Sequence, residues 1–104
     1  MLQGAEEMRA AAELRRKRGT DSFVHAGGGW VDYHGTRVVE FDDKMIQLNA
    51  GGWKTVTTRR RMNQASDAFC LGIYVYQKAF IWYVDFGAKT YVFDRMQLTL
   101  RRKS

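Results

Sequence analysis

From Ile73 to Leu100 the chain is a succession of short strand-like runs: "IYVYQ", "FIWYVD", "KTYVF" and "MQLTL". Valine, isoleucine, threonine and aromatic residues dominate each run, which is the composition strands prefer. The breaks between them are Lys78-Ala79, Gly87 and Asp94-Arg95. Breaks that short leave no room for crossover helices, so the runs predict an antiparallel meander. Side chains alternate along a strand, so Tyr74 and Tyr76 share one face while Ile73 and Val75 share the other. The aliphatic face suits a core, which turns the tyrosines outward. There they can stack bases or anchor a protein partner. Cross-strand aromatic pairing is the plainer role.

Upstream, "TRVVEF" and "KMIQLN" flank Asp42-Asp43 and predict a hairpin, because aspartate at a turn accepts backbone donors. A second helix is expected after Trp53, capped by Thr55 or Thr57 and closed at Gly72. Thr58, Met62, Ala65 and Phe69 recur at helical spacing and define its buried face. A first helix is expected over Glu6–Arg18, rich in alanine, with acids early and bases late. Its apolar stripe is thin, so it is expected to fray or to fold against a partner. Gly27, Gly28 and Gly29 read as a flexible link. Residues 1–26 then form a basic helical tail and residues 30–104 a single domain. The expected fold is α+β: an N-terminal helix, a β-hairpin, then an amphipathic helix packed on a mostly antiparallel sheet, in the order α–ββ–α–ββββ.

The chain has 104 residues, one cysteine, no proline and a net charge of +6. One cysteine excludes an internal disulfide and a cysteine-rich zinc site. Cys70, near the second helix end, is expected to be a small buried hydrophobe. No apolar run is long enough to span a bilayer, and the charged N-terminus is not a signal peptide, so no membrane partner is expected and the host cytoplasm is the expected location. Positive charge collects in the N-terminal segment, the second helix and the C-terminal end, whereas residues 20–50 are net acidic. Such a field attracts polyanions or an acidic protein face.

The stretch "LNAGGWKTVTTRRRMNQ", Leu48–Gln64, followed by "VYQKAFIWYV", resembles a group of small uncharacterised phage and prophage proteins. Those sequences carry an LNxGGWxTxTTxxRMNQ-like segment. The matching positions here are Leu48, Asn49, Gly51, Gly52, Trp53, Thr55, Thr57, Thr58, Arg61, Met62, Asn63 and Gln64. The resemblance covers roughly Tyr33 to Leu100. It implies a viral origin and a short accessory protein, and it brings no activity with it.

Arg59, Arg60, Asn63 and Gln64 are the candidate base-reading residues. Arginine forks and Asn or Gln amides make the common base contacts, and Arg59–Asn63 and Arg60–Gln64 are each four apart on the helix. The competing role is a solvated helix face, with Arg61 stacked on Trp53. The basic clusters Arg15, Arg16, Lys17, Arg18 and Arg101, Arg102, Lys103 are expected to hold phosphates without reading sequence. Gly51-Gly52-Trp53 reads as a strand-to-helix corner rather than a phosphate loop, which needs more than two glycines. His25, His34 and Asp32 are too few for a catalytic or metal centre, and no enzyme activity or cofactor is expected. The expected function is nucleic-acid binding, to DNA or RNA. The alternative is a protein-interaction module that modulates a host or defence enzyme through Tyr74 and Tyr76.

Overall fold

The computed structural model describes residues 4–52 and 54–103. The chain runs α1 (Gly4–Arg15), β1 (Thr20–His25), β2 (Gly28–Tyr33), β3 (Thr36–Asp42), β4 (Met45–Asn49), α2 (Val56–Phe69), β5 (Ile73–Lys78), β6 (Ile81–Phe86), β7 (Lys89–Val92) and β8 (Gln97–Arg101). The fold is α+β, with two antiparallel sheets where the sequence reading had one. Sheet A has the order β1-β2-β3-β4-β8, and sheet B the order β5-β6-β7. The expected four-strand meander therefore stops after β7. The chain then crosses to sheet A, where β8 pairs with β4, Leu100 opposite Ile46 and Leu98 opposite Leu48.

The hairpin over Thr36–Asn49 forms as expected. Asp42 Oδ1 accepts the backbone N–H of Lys44 at 2.7 Å and of Met45 at 2.8 Å. These bonds hold the Asp42 carboxyl below its ordinary pKa, the Lys44 bond contributing most. The turn's electrostatic support is thus complete above the usual aspartate range and is lost as pH falls through the depressed value. Thermal midpoints followed from neutral pH downward should fall more steeply for the wild type than for Asp42→Asn, which keeps an acceptor oxygen but does not titrate.

The glycine link at 27–29 is not a link. Residues 20–25 form an unanticipated strand, β1, which pairs along its whole length with β2, from Thr20 opposite Tyr33 to His25 opposite Gly28. Gly28 and Gly29 lie within β2 and are buried. A Cβ on Gly28 would overlap the Phe41 carbonyl oxygen, and one on Gly29 would lie 2.6 Å from the Phe23 carbonyl oxygen. These glycines therefore admit neighbouring strands rather than loosen the chain. α1 and β1 pack and pair with the elements that follow them. α1 buries Ala11 and Leu14 in the same core as Val31, Val39 and Leu48.

α2 begins where its cap allows. The Thr55 side chain accepts the Thr58 N–H at 3.1 Å and so satisfies one free donor of the first turn. The helix ends at Cys70, which has a left-handed backbone with φ 55° and lies two residues before the glycine expected at 72. Cys70 is exposed, not buried. Thr58, Met62, Ala65 and Phe69 are buried as their spacing required, joined by Arg61 and Ser66. The helix packs on β2 and β3 of sheet A and also on β5. The Ser66 hydroxyl accepts the Ile73 N–H at 2.9 Å, tying the start of β5 to the helix. Trp53, assigned to the corner before this helix and to stacking with Arg61, lies outside the described residues. Among the described residues no helix is long and apolar enough to cross a membrane.

Candidate nucleic-acid interface

The four side chains singled out on α2 have different duties. The Asn63 amide bonds both backbone groups of Val75: Nδ2 donates to the carbonyl at 2.9 Å and Oδ1 accepts the N–H at 2.7 Å. It stands where a neighbouring strand would stand and closes the edge of β5. Gln64 Oε1 accepts from Arg61 Nη1 at 3.0 Å. Arg61 is only 8% exposed, and its Nε donates to Thr20 Oγ1 at 2.8 Å. Its guanidinium lies 5.4 Å from the Tyr33 ring centre. Arg59 sits 5.5 Å from the Trp82 ring centre, a ring that Lys54 Nζ also approaches at 5.6 Å. Arg60 is the member of the set left exposed without such a role. Asn63 is thus withdrawn from base reading, while Gln64, bonded through its oxygen, and Arg59 are partly withdrawn.

The basic clusters are separated. Arg15 Nη1 donates to the Ser22 carbonyl at 2.8 Å. Arg16 reaches Glu13 at 3.4 Å across an exposed pair, which is worth little. Lys17 is half-buried and Arg18 exposed at the turn into β1. Arg15 is the last residue of α1, and the other three lie in the turn between α1 and β1. The C-terminal cluster lies at the far end of the sheet. There Lys44, Met45, Thr99, Arg101, Arg102 and Lys103 line a basin of about 890 Å³. Arg102 Nη1 is anchored on the Asp42 carbonyl at 2.7 Å, and its N–H on the Lys44 carbonyl.

That basin opens onto the face of sheet A opposite the helices. Strand register aligns one row across all five strands of this face: Phe23, Trp30, Glu40, Gln47 and Thr99. The adjacent positions Ser22, Val31, Val39 and Leu48 point the other way, into the core. Phe23 is 50% exposed and stacks on Trp30 at 6.0 Å, with His25 on its other side at 6.0 Å. Arg37 closes the series, 4.1 Å above the Trp30 ring. Its Nε donates to Asp32 Oδ1 at 2.9 Å, a bond that also raises its pKa. A trough of about 340 Å³ beside this stack is lined by His25, Trp30, Glu40, Asp42, Met45 and Gln47 among others. Trough and basin share Met45, so aromatic rings, acceptors and four cations follow one another on one surface.

A family model for the Kyanoviridae Gp96 protein matches residues 6–99. The chain belongs to that family. It is therefore a phage protein, and the match reaches into α1, β1 and the glycines once read as lying apart. No curated protein and no solved structure matches it.

On sheet B of this Gp96-family protein, the tyrosines face outward as their alternation required. Tyr74 is 58% exposed and stacks on Tyr76 at 5.6 Å, which stacks on Tyr83 at 5.6 Å. Tyr76 is half-buried and its hydroxyl donates to Asp85 Oδ1 at 3.1 Å. Tyr74 is the freer of the two. The residues missed by sequence reasoning were Phe23, Trp30 and Lys44. For Phe23 the signal was its alternation, with His25, against Ser22 and Val24, hidden because the three glycines drew the whole segment into a link. His25, His34 and Asp32 do not converge: His25 Nδ1 accepts the Gly27 N–H, His34 packs on Tyr33, and Asp32 holds Arg37.

Proposed function

We propose that this phage protein binds single-stranded nucleic acid on the open face of sheet A, in the host cytoplasm and without catalysing a reaction. The observation that carries this reading is the continuity of the Phe23–Trp30 stack with the basin of Lys44, Arg101, Arg102 and Lys103. Every base has a π-face, so exposed aromatic rings on a sheet hold single strands without regard to sequence. Adjacent cations hold the phosphates. Glu40, Asp42 and Gln47 offer acceptors to adenine, cytosine or guanine amines, so with thymidylate the rings and cations alone carry the affinity. A duplex keeps its bases inside and cannot use the rings.

The test is fluorescence anisotropy with a labelled oligothymidylate over a range of NaCl. Single strands lose affinity with a slope of about −0.7 per phosphate neutralised, so four contacts predict a slope of roughly −3. The triple substitution Arg101→Glu, Arg102→Glu, Lys103→Glu should flatten that slope and weaken binding by more than about tenfold. Phe23→Ala should weaken binding about 5- to 100-fold, the range of one lost base stack. Absent binding at low salt, or equal binding by all variants, would sink the reading. The same triple substitution separates this face from Arg59 and Arg60, whose replacement should change little.

A second reading, docking to a host or defence protein through sheet B, is favoured by the exposure of Tyr74.

A further inference from the structure

Two-residue hairpin turns that match the twist of their strands require positive φ, which glycine and asparagine adopt without strain. The turn from β2 to β3 has His34 at φ 50° and Gly35 at φ 80°, and the turn from β6 to β7 opens on Gly87. The turn from β5 to β6 has no glycine. Ala79 has φ 52° and Phe80 has φ 69°, between the paired ends Lys78 and Ile81. Left-handed backbone at a phenylalanine is strained, because Cβ crowds the following carbonyl. Phe80 gains no packing in return, for it is 94% exposed, beside Ile81 at 42%. A bulky residue held in a strained turn, with its ring in water, serves nothing in this fold. Strain of this kind gathers at binding sites.

We propose that the β5–β6 hairpin is a protein-docking tip whose anchor is Phe80. Its partner is a protein with an apolar pocket wide enough for one aromatic ring and a rim of carboxylates. The ring supplies the buried anchor that dominates such interfaces. Lys78 beside it and the net charge of +6 select the acidic rim. The rigid two-strand stem, tied to α2 by Asn63 at Val75, presents the ring without ordering a loop. A lipid surface is the less suited partner, because the tip offers one aromatic ring and one isoleucine flanked by Lys78 and Gln77. The inference is independent of the nucleic-acid reading, since the tip belongs to sheet B.

The experiment places p-benzoylphenylalanine at position 80 of the full chain in infected host cells and irradiates them. One discrete protein adduct that survives nuclease is expected. That protein is then purified and titrated. Phe80→Gly should weaken binding at least about tenfold, and Ala79→Gly should bind as the wild type does. Phe80→Gly should also melt a few degrees higher than the wild type, because the turn strain is relieved, and should bind oligothymidylate unchanged. Absence of a protein adduct overturns the proposal. So does wild-type affinity of Phe80→Gly, a lower melting point for that variant, or crosslinking to lipid with flotation on phosphatidylglycerol vesicles.

Discussion

Replacing Asn63 with alanine should remove about 2–4 kcal/mol of folding stability, because a buried hydrogen-bonding group left without its partner costs about 1–3 kcal/mol and two are left here. Those groups are the N–H and carbonyl of Val75, itself 1% exposed. Domains of this size have about 5–15 kcal/mol in total, so the loss is a large fraction. The midpoint temperature should fall by roughly 8–32 °C, at about 4–8 °C per kcal/mol. Urea denaturation should show a lower midpoint with an unchanged slope. Asn63→Asp should fare no better. Its carboxylate still accepts from the Val75 N–H, but it faces the Val75 carbonyl with no hydrogen to offer. Arg60→Ala, on the exposed side of the same turn, should change stability by less than about 0.5 kcal/mol. If Asn63→Ala left stability intact and abolished nucleic-acid binding, the side chain would be a base reader after all.

Asn63 shows where sequence reasoning reaches its limit. Helical periodicity placed it off the buried face of α2, correctly, since that face is Met62, Ala65 and Phe69. The further step, that a polar residue off the core is free for a ligand, does not follow. α2 has a second neighbour, the edge of β5, and an amide is the side chain that can close a strand edge. Nothing in the spacing of residues 55–70 announces a sheet twelve residues later. Arg61 repeats the point: the sequence suggested stacking on Trp53, whereas the side chain is buried and held by Gln64, three residues away, and by Thr20, forty-one residues away. By contrast, the hairpin at Asp42 and the cap at Thr55 were legible because both depend on contacts within three residues. The outward Tyr74 was legible because strand alternation is local. The placement of β8 in sheet A was not, because strand order is decided by which hydrophobic faces meet.

The glycines at 27–29 provide the second large expected effect, and they separate the two readings of that segment. A flexible link would tolerate a methyl group at any of the three positions. The strand does not. Gly27→Ala should be neutral or stabilising by about 0.4–1 kcal/mol, since a less flexible residue lowers the entropy of the unfolded chain. A Cβ there meets nothing nearer than the His25 ring at 3.7 Å. Gly28→Ala should cost about 3 kcal/mol or more, because its Cβ would overlap the Phe41 carbonyl oxygen of the neighbouring strand. Side chains can rotate away from a new methyl group, whereas a backbone carbonyl paired in a ladder can move only by separating β2 from β3. That separation also disturbs the register that sets Phe23 beside Trp30 and Trp30 opposite Glu40. Gly28→Ala should therefore weaken oligothymidylate binding as well as fold stability, although residue 28 lies outside the proposed contacts. The urea midpoint of Gly28→Ala should fall well below that of the wild type, while that of Gly27→Ala should stay level or rise. Equal midpoints would mean that β2 and β3 do not pair as described, and Trp30 would lose the register that sets it opposite Glu40.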